Sequence, residues 1–361
     1  MSLLAQPTMQ AAAGPREGLA AFFPIQLHHP SDATRPAPAS LRRGASGEPR
    51  WGLILAGGDG TRLRGLTHLI CGDDRPKQFC KVFGRETLLE QTQQRAARSI
   101  PAGQTIIALT ENHKRFYEGI PGISLSRRLV QPCNRGTAPP IIWGLLNIAI
   151  QAPGAMVAIL PSDHYFSDEA AFTASLESAF EIAGAHPDHV LLLGAQPKSP
   201  EVEFGWINLG PAAGESVFRV RGFEEKPNLE VAEHLLESGA LWNTFVMVGS
   251  ATAFLWMSFV SLPVLLTMLN ESLPFYKGYG DLRVPSSLYE AIPTTDYSRQ
   301  VLTPNAHRLL ALRLQQQMEW YDLGQPDRVV SVVRSRSEEI PAWIHAWEST
   351  HRAARGAIFQ P

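Results

Sequence analysis

Cysteine is scarce in this chain: three residues, Cys71, Cys80 and Cys133, among 361. They form no Cys-x-x-Cys pair and their count is odd, so a disulfide framework is not indicated and a reduced, cytoplasmic compartment is expected. No apolar run approaches the roughly 18 residues that cross a bilayer. Charge is almost balanced, with a formal net charge of −2 and a pI near 6.6. That balance leaves no electrostatic footprint for nucleic acid or for an anionic membrane, and neither partner is expected. No internal repeat is visible, and in particular no hexapeptide β-helix pattern. What is present is ordinary: 44% apolar and 18% charged residues. A chain of this length can build one large α/β domain with appendages, or two modest domains.

Residues 1–50 are rich in Ala, Pro and Arg, with repeated proline breaks. They lack a basic start followed by an uninterrupted apolar core, so they do not read as a secretory signal. A poorly ordered leader is expected. Glu17 and Asp32 weaken an organellar targeting role.

The most informative stretch runs from Leu53 to Leu63. Leu53-Ile54-Leu55-Ala56 reads as a buried strand of a parallel sheet. Three glycines within four residues follow, Gly57, Gly58 and Gly60. Glycine permits positive φ there and lets backbone N–H groups approach an anion. Arg62 supplies a fixed, always-charged fork for phosphate oxygens, and Lys77 in Arg75-Pro76-Lys77-Gln78-Phe79 adds a compact mobile cation. Glycine-rich turns without a ligand are common, so the glycines alone decide nothing. The full run with both cations reads as a phosphate-handling loop. A P-loop is excluded, because Thr61-Arg62 stands where Lys-Ser/Thr is needed. A dinucleotide fingerprint fails too, since Leu63 occupies the last glycine place.

Further on, strands and helices alternate. Thr87-Leu88-Leu89-Glu90 is a capping box opening a helix to about Ser99. Thr105 to Thr110 reads as a strand, and Val130-Gln131-Pro132 closes a short strand into the loop at Arg135. Pro139 and Pro140 suit the first turn of a helix that continues to Ile150. Strand Met156 to Leu160 ends in Pro161-Ser162-Asp163-His164, and a helix from Asp168 to Ala185 follows with Ser167 as expected N-cap. This alternation predicts an α/β fold with a doubly wound, mostly parallel sheet, whose ligands bind beyond the carboxyl ends of strands. The loops at Gly57, Arg135 and Asp163 all lie at such ends and can converge. Strands around Phe204 to Asn208, Val217 to Phe223 and Phe245 to Val248 mark a smaller β/α portion, with a helix from Leu229 to Ser238 between them. Pro263 interrupts an apolar helical stretch from Ala251 to Leu269. Glu338 to Ala357 reads as a capping helix. The expected division is a leader at 1–50, a main α/β domain at 51–330 and a helical extension at 331–361.

The run Leu55-Ala56-Gly57-Gly58-Asp59-Gly60-Thr61-Arg62-Leu63, with Pro76-Lys77 downstream, resembles the sugar-phosphate nucleotidyltransferases. Pro76-Lys77-Gln78-Phe79 is similar to the mannose-1-phosphate guanylyltransferase branch in particular. The resemblance extends from about Trp51 to Val330, with the motifs in family order. It implies a Rossmann-like nucleotidyltransferase fold whose smaller β/α portion binds the sugar. It also implies transfer of a guanylyl group from GTP to a hexose-1-phosphate, most simply mannose-1-phosphate. Such chemistry rests on alignment and charge neutralisation. That suits a chain with no Ser-His-Asp or Cys-His signature.

The same resemblance implies roles for particular residues. Arg62 and Lys77 become the catalytic cations. Leu55, Ala56, Gly57, Gly58, Gly60, Thr61, Gln131, Gly136, Thr137 and Ala138 become the nucleotide site. Gly205, Glu225, Lys226 and Asn243 become the sugar-phosphate site. Asp163 and Asp322 become the carboxylates for Mg²⁺, which takes few protein ligands alongside phosphate oxygens and water. His164 reads as structural, as a lone His usually is. The partners implied are GTP and a sugar-1-phosphate, and a homo-oligomer is left open.

Several departures bear on the sugar more than on the reaction class. Asp59 puts an anion beside the triphosphate loop. Gly65 to Arg75 lacks the usual proline and carries Cys71-Gly72-Asp73-Asp74. Thr244-Phe245 stands where the family commonly has Ser-Gly, which predicts a tighter sugar pocket. The resemblance also stops short of the isomerase domain of bifunctional relatives. Two other readings compete: the same fold with another nucleotide or sugar, and a catalytically silent nucleotide-sugar regulator. Retention of Arg62, Lys77, Asp163, Lys226 and Asp322 together argues against silence.

Overall fold

The structure, a computed structural model, describes residues 48–124, 127–273, 282–336 and 339–357. The expected leader lies outside the described residues up to position 47. The central strand is β1 (Arg50–Leu55). It is apolar almost throughout because it is covered on both faces. Leu53 and Ile54 are both fully buried and belong to cores on opposite sides of the sheet. Each such side chain contributes roughly 2 kcal/mol of burial.

Parallel neighbours of β1 are β2 (Thr105–Thr110) and β4 (Met156–Pro161). Beyond β2 come β3 (Arg128–Gln131) and, at the edge, β10 (Leu282–Arg283), both again parallel. On the other side of β4 the pattern changes. There β9 (Leu241–Ser250) runs antiparallel to both β4 and β6 (Val190–Ala195). Strand β11 (Leu309–Arg313) lies parallel to β6, and the β7–β8 hairpin (Gly205–Gly214 and Val217–Glu225) closes the ten-stranded sheet. The α/β class expected from strand–helix alternation is the class observed. The sheet is mixed, with its parallel half carrying the glycine loop. Strands joined by a tight turn, as β7 and β8 are, must run antiparallel.

Local signals explain most helix ends. Thr87 caps helix Leu88–Ala97 in a reciprocal capping box with Glu90. Pro139 and Pro140 sit in the first turn of helix Ala138–Gln151, where missing N–H groups cost nothing. The long apolar helix breaks at Leu262 into Ala251–Ser261 and Pro263–Ser272. One cap differs from expectation. Asp168 caps helix Glu169–Ala185, accepting from the N–H groups of Ala170 and Ala171. Ser167 cannot do so, because its hydroxyl accepts from Glu319 N–H at 2.9 Å.

The C-terminal boundary also differs. A division at residue 330 runs through helix Pro326–Arg336, and the next helix is Ala342–Ala357. Val329, Val332, Val333 and Ile344 share a core with Leu63, Leu66 and Leu323. The C-terminal helices therefore pack behind the glycine loop.

Candidate active site

The carboxyl ends of β1, β3 and β4 share one rim, since Leu55 is in register with both Ala108 and Pro161, and Thr110 with Gln131. The glycine loop leaves that rim and is held open by neighbouring side chains. Gln78 Nε2 donates to the carbonyls of Ala56 at 3.0 Å and Gly58 at 2.8 Å. Thr110 Oγ1 donates to the Gly57 carbonyl at 2.9 Å. Oxygens that would repel a phosphate are thereby engaged. Gly60 has φ 57°, and a Cβ there would lie 3.3 Å from Lys77 N. Glycine at 60 thus lets the Pro76-Lys77 segment close onto the loop.

A second wall comes from the loop after β3. Gly136 has φ 83°, and a Cβ there would collide with the Thr295 carbonyl. Thr137 Oγ1 accepts from Tyr297 N–H at 2.8 Å, and Gln131 Oε1 accepts from the Tyr289 hydroxyl at 2.8 Å. Asp59 faces this side. One of its oxygens lies 3.3 Å from His113 Nε2 and the other accepts from Asn134 Nδ2 at 3.0 Å. Burial pushes the His113 imidazole below its usual range, although Asp59 opposes that. The anion expected to trouble the triphosphate is therefore held by two donors. Neither donor was legible in the sequence, because His113 and Asn134 belong to separate loops.

The third wall brings Asp163 and Asp322 together. Two three-residue strands, β5 (His164–Phe166) and β12 (Trp320–Asp322), pair antiparallel with His164 opposite Asp322. Lys77 Nζ sits between the two carboxylates, 3.2 Å from Asp163 Oδ2 and 3.1 Å from Asp322 Oδ1. Burial opposes the charge on Lys77, yet the two carboxylates outweigh it and raise its pKa. Burial likewise opposes ionisation of Asp322, but Lys77, by its charge and its hydrogen bond, holds the carboxyl well below the usual range. His164 is driven toward the neutral form by burial, and its Nδ1 is anchored against the Thr244 carbonyl and Trp320 Nε1. Its Nε2 lies 3.8 Å from an oxygen of each of Asp163 and Asp322, so His164 lines the cleft beside the carboxylate pair.

Two carboxylates against one ammonium leave this cluster net negative. One oxygen of each carboxylate lies within hydrogen-bonding reach of the same nitrogen, so the two acids face a common point. No group of three or more His, Cys, Asp or Glu side chains disposed for a metal occurs among the described residues. A two-carboxylate set fits Mg²⁺, which completes its shell with phosphate oxygens and water, better than a metal needing an all-protein cage.

Opposite this cluster stand the residues expected on the sugar side. Burial, then the nearby Asp296, pushes the Glu225 carboxyl above the usual range, while Lys226 opposes the shift. Lys226 Nζ lies 3.7 Å from Glu225 Oε1. Lys226 and Phe245 both adopt left-handed backbone, at φ 51° and 59°, an uncommon conformation for a non-glycine residue that clusters at functional sites and tight turns. Buried Asn243 steadies the second, its Oδ1 accepting from Phe245 N–H at 3.1 Å.

All but two of the expected site residues line a single cleft of about 530 Å³, which includes Arg62, Lys77, Gln131, Asp163, Lys226 and Asp322. The exceptions are Ala56 and Ala138, which are buried beside it. The Ala56 N–H donates to the Ala108 carbonyl and the Ala138 N–H to the Thr295 carbonyl, so neither amide is offered to a ligand. The cleft adds residues that sequence reasoning did not single out for the site: Asn134, Glu203, Asp296 and Ser298. Position was the signal for Glu203, two residues before Gly205.

Residues 51–338 match the family pattern described as nucleotidyl transferase. The xanthan biosynthesis protein XanB of Xanthomonas campestris pv. campestris (strain B100) is 34% identical over 208 residues, 56% of this chain and 42% of that protein. A mannose-1-phosphate guanylyltransferase of Sinorhizobium fredii is 29% identical over 285 residues, 76% of this chain and 53% of that protein. The chain thus spans about half the length of the curated relatives it matches. Among solved structures, a Thermus thermophilus protein described as a mannose-1-phosphate geranyltransferase superposes with a TM-score of 0.68 at 30% identity, covering 80% of each chain. A Helicobacter pylori protein described as a mannose-6-phosphate isomerase gives 0.58 at 20% identity, covering 74% of this chain and 98% of that one, a likeness of fold alone.

Proposed function

The chain belongs to the nucleotidyl transferase family, and from that premise we propose that it transfers a guanylyl group from GTP to a hexose-1-phosphate, most simply mannose-1-phosphate. An oxygen of the sugar phosphate attacks the α-phosphorus, the bond to the β-phosphate breaks, and pyrophosphate leaves. One observation carries the reading: Lys77 Nζ lies within 3.2 Å of both Asp163 and Asp322 on the rim that carries the glycine loop. A silent binding protein has no need to gather two carboxylates around a buried cation beside a phosphate loop. Arg62 and Lys77 neutralise the triphosphate as charge moves onto the leaving group. The loop at Gln131, Gly136 and Thr137 holds the base, and Glu225, Lys226 and Asn243 orient the sugar phosphate. Asp163 and Asp322 would hold Mg²⁺, which supplies positive charge to the reacting phosphates when bound.

No helix among the described residues is long and apolar enough to cross a membrane, and the three cysteines are free thiols. We place the protein in the cytoplasm, where GTP and sugar phosphates are found. The test is a matrix of nucleoside triphosphates against sugar-1-phosphates, read by Mg²⁺-dependent pyrophosphate release. GTP with mannose-1-phosphate is the expected best pair. A different best pair would reassign the substrate within the same reaction. No release with any pair would leave a nucleotide-sugar regulator.

A further inference from the structure

Arg328 sits in the first turn of helix Pro326–Arg336, six residues beyond Asp322. Its guanidinium makes three contacts. Nη1 donates to the Asp322 carbonyl at 3.1 Å. Nη2 donates to Glu201 Oε2 at 3.2 Å. The flat face lies 4.6 Å from the centre of the Phe204 ring. The side chain is only 18% exposed.

These partners belong to two separate pieces of the cleft. Asp322 ends β12, on the carboxylate side. Glu201 and Phe204 belong to the loop that runs into Gly205 and β7, on the sugar side. That loop is itself firm. Trp206 Nε1 donates to the Glu201 carbonyl at 2.8 Å, and the Phe204 ring meets Trp242 and Trp320 edge-on, each at 5.1 Å. Arg328 is therefore a brace between two rigid walls. A planar guanidinium can serve two acceptors in its plane while an aromatic ring covers its face, which an ammonium cannot do.

We propose that Arg328 is a positioning residue, fixing the Asp322 turn against the sugar-side loop so that metal carboxylate and sugar phosphate keep one registry. It acts through Asp322 and Glu201 and touches neither substrate. The proposal rests on the guanylyl-transfer reading and adds to it the residue that ties its two halves together. Without the brace the Asp322 carbonyl loses this donor and Glu201 loses its cation, keeping only Ser199 Oγ at 3.4 Å on its carboxylate. Partners that orient metal ligands in this way typically change metal affinity by about tenfold or more when removed.

The experiment uses the full chain and four variants: Arg328→Ala, Arg328→Lys, Glu201→Gln and Arg334→Ala. Arg334 lies on the same helix but pairs outward with Glu348, so it controls for general loosening. Free Mn²⁺ is followed by electron paramagnetic resonance in the presence of GTP, which needs no turnover, and initial rates give KM for the sugar phosphate. Arg328→Ala is expected to raise the Mn²⁺ dissociation constant about tenfold and to raise the sugar-phosphate KM with it. Arg328→Lys, which keeps the charge but not the fork, should shift both in the same direction, and so should Glu201→Gln. Arg334→Ala should move neither. Unchanged Mn²⁺ affinity in folded Arg328→Ala and Arg328→Lys would overturn the proposal, as would an equal shift in Arg334→Ala. Should the parent chain release no pyrophosphate with any substrate pair, the functional reading fails, and the Mn²⁺ titration alone still decides the role of Arg328.

Discussion

Arg62 Nη1 lies 2.6 Å from Glu203 Oε2, an ion pair that joins the glycine loop to the loop before β7 across the cleft. Both side chains are about half exposed, at 52% and 43%. Exposed pairs contribute about 0–1 kcal/mol, so this one does little for stability. It does occupy the guanidinium that, in the proposed reaction, serves the triphosphate. Glu203→Gln is expected to lower KM for GTP about two- to fivefold, within that energy range. Melting temperature should hardly move. An unchanged or raised KM would show that Glu203 does not compete with the nucleotide.

Arg62 and Lys77 share a charge but not an environment, so their removal should differ in one measurement and agree in another. Turnover should fall about 100-fold or more in both Arg62→Ala and Lys77→Ala. Only Lys77→Ala should also lower the melting temperature, because it leaves Asp163 and Asp322 facing each other with no cation between them. Added Mg²⁺ should recover part of that stability by taking the cation's place. Calorimetry with and without Mg²⁺ checks this, and equal melting temperatures for the two variants would count against it.

The sequence exposed some of this site and hid the rest for physical reasons. The glycine loop was legible because strand, glycines and cations lie within one short stretch, and each residue type has a local cause. Thr87 and Glu90 were legible as a cap for the same reason. The meeting of Asp163 with Asp322 has only the family pattern to mark it in the sequence, because it depends on the pairing of β5 with β12. Strands of three residues carry no periodicity. Arg328 was invisible as a site residue and Glu203 was marked only by its nearness to Gly205, since their partners Glu201 and Arg62 lie more than a hundred residues away. Ser167 and Asp168 are both good caps on paper, and only the distant Glu319 amide decides between them.

Glu225 gives a pH-dependent prediction. Its carboxyl is raised above the usual range, chiefly by burial and then by Asp296. The folded state therefore holds this proton more tightly than the unfolded chain does. That favours folding in acid; the advantage is lost as the pH climbs from the ordinary Glu range through the raised value, above which the buried carboxylate is a full cost. Glu225→Gln removes the cost, so its melting temperature should exceed that of the parent at pH 7–8. The difference should shrink as the pH falls toward the ordinary Glu range near 4.3. Its KM for the sugar phosphate should rise, because an acceptor for sugar hydroxyls is weakened. Thermal melts across pH check the sign, and a variant less stable than the parent at pH 8 would refute it.

Phe245 combines backbone strain with a steric wall, and two substitutions separate them. Its φ of 59° costs roughly 1–2 kcal/mol for an L-residue with a side chain. The strain sits in a bulge of β9, where register with β6 slips between Leu192 and Gly194. Thr244 Oγ1 fills the gap by donating to the Leu193 carbonyl at 2.7 Å. Bulges beside active sites commonly aim a side chain at the ligand, and Phe245 lines the cleft near Asn243 and Glu225. Phe245→Ala removes the ring and keeps the strain; Phe245→Gly removes both. Both variants should therefore lose discrimination against hexose phosphates with a bulkier substituent, to a similar degree. They should differ in stability, with Phe245→Gly melting higher by about 2 °C if the relief is roughly 1 kcal/mol. The greater flexibility of glycine in the unfolded chain works against that difference and sets a lower limit on what can be seen. Equal melting temperatures would mean that any relief of strain at 245 does no more than balance that unfolded-chain entropy. Unaltered sugar selectivity in both variants would mean that the ring does not bound the sugar site and would remove the ground for expecting a tighter pocket.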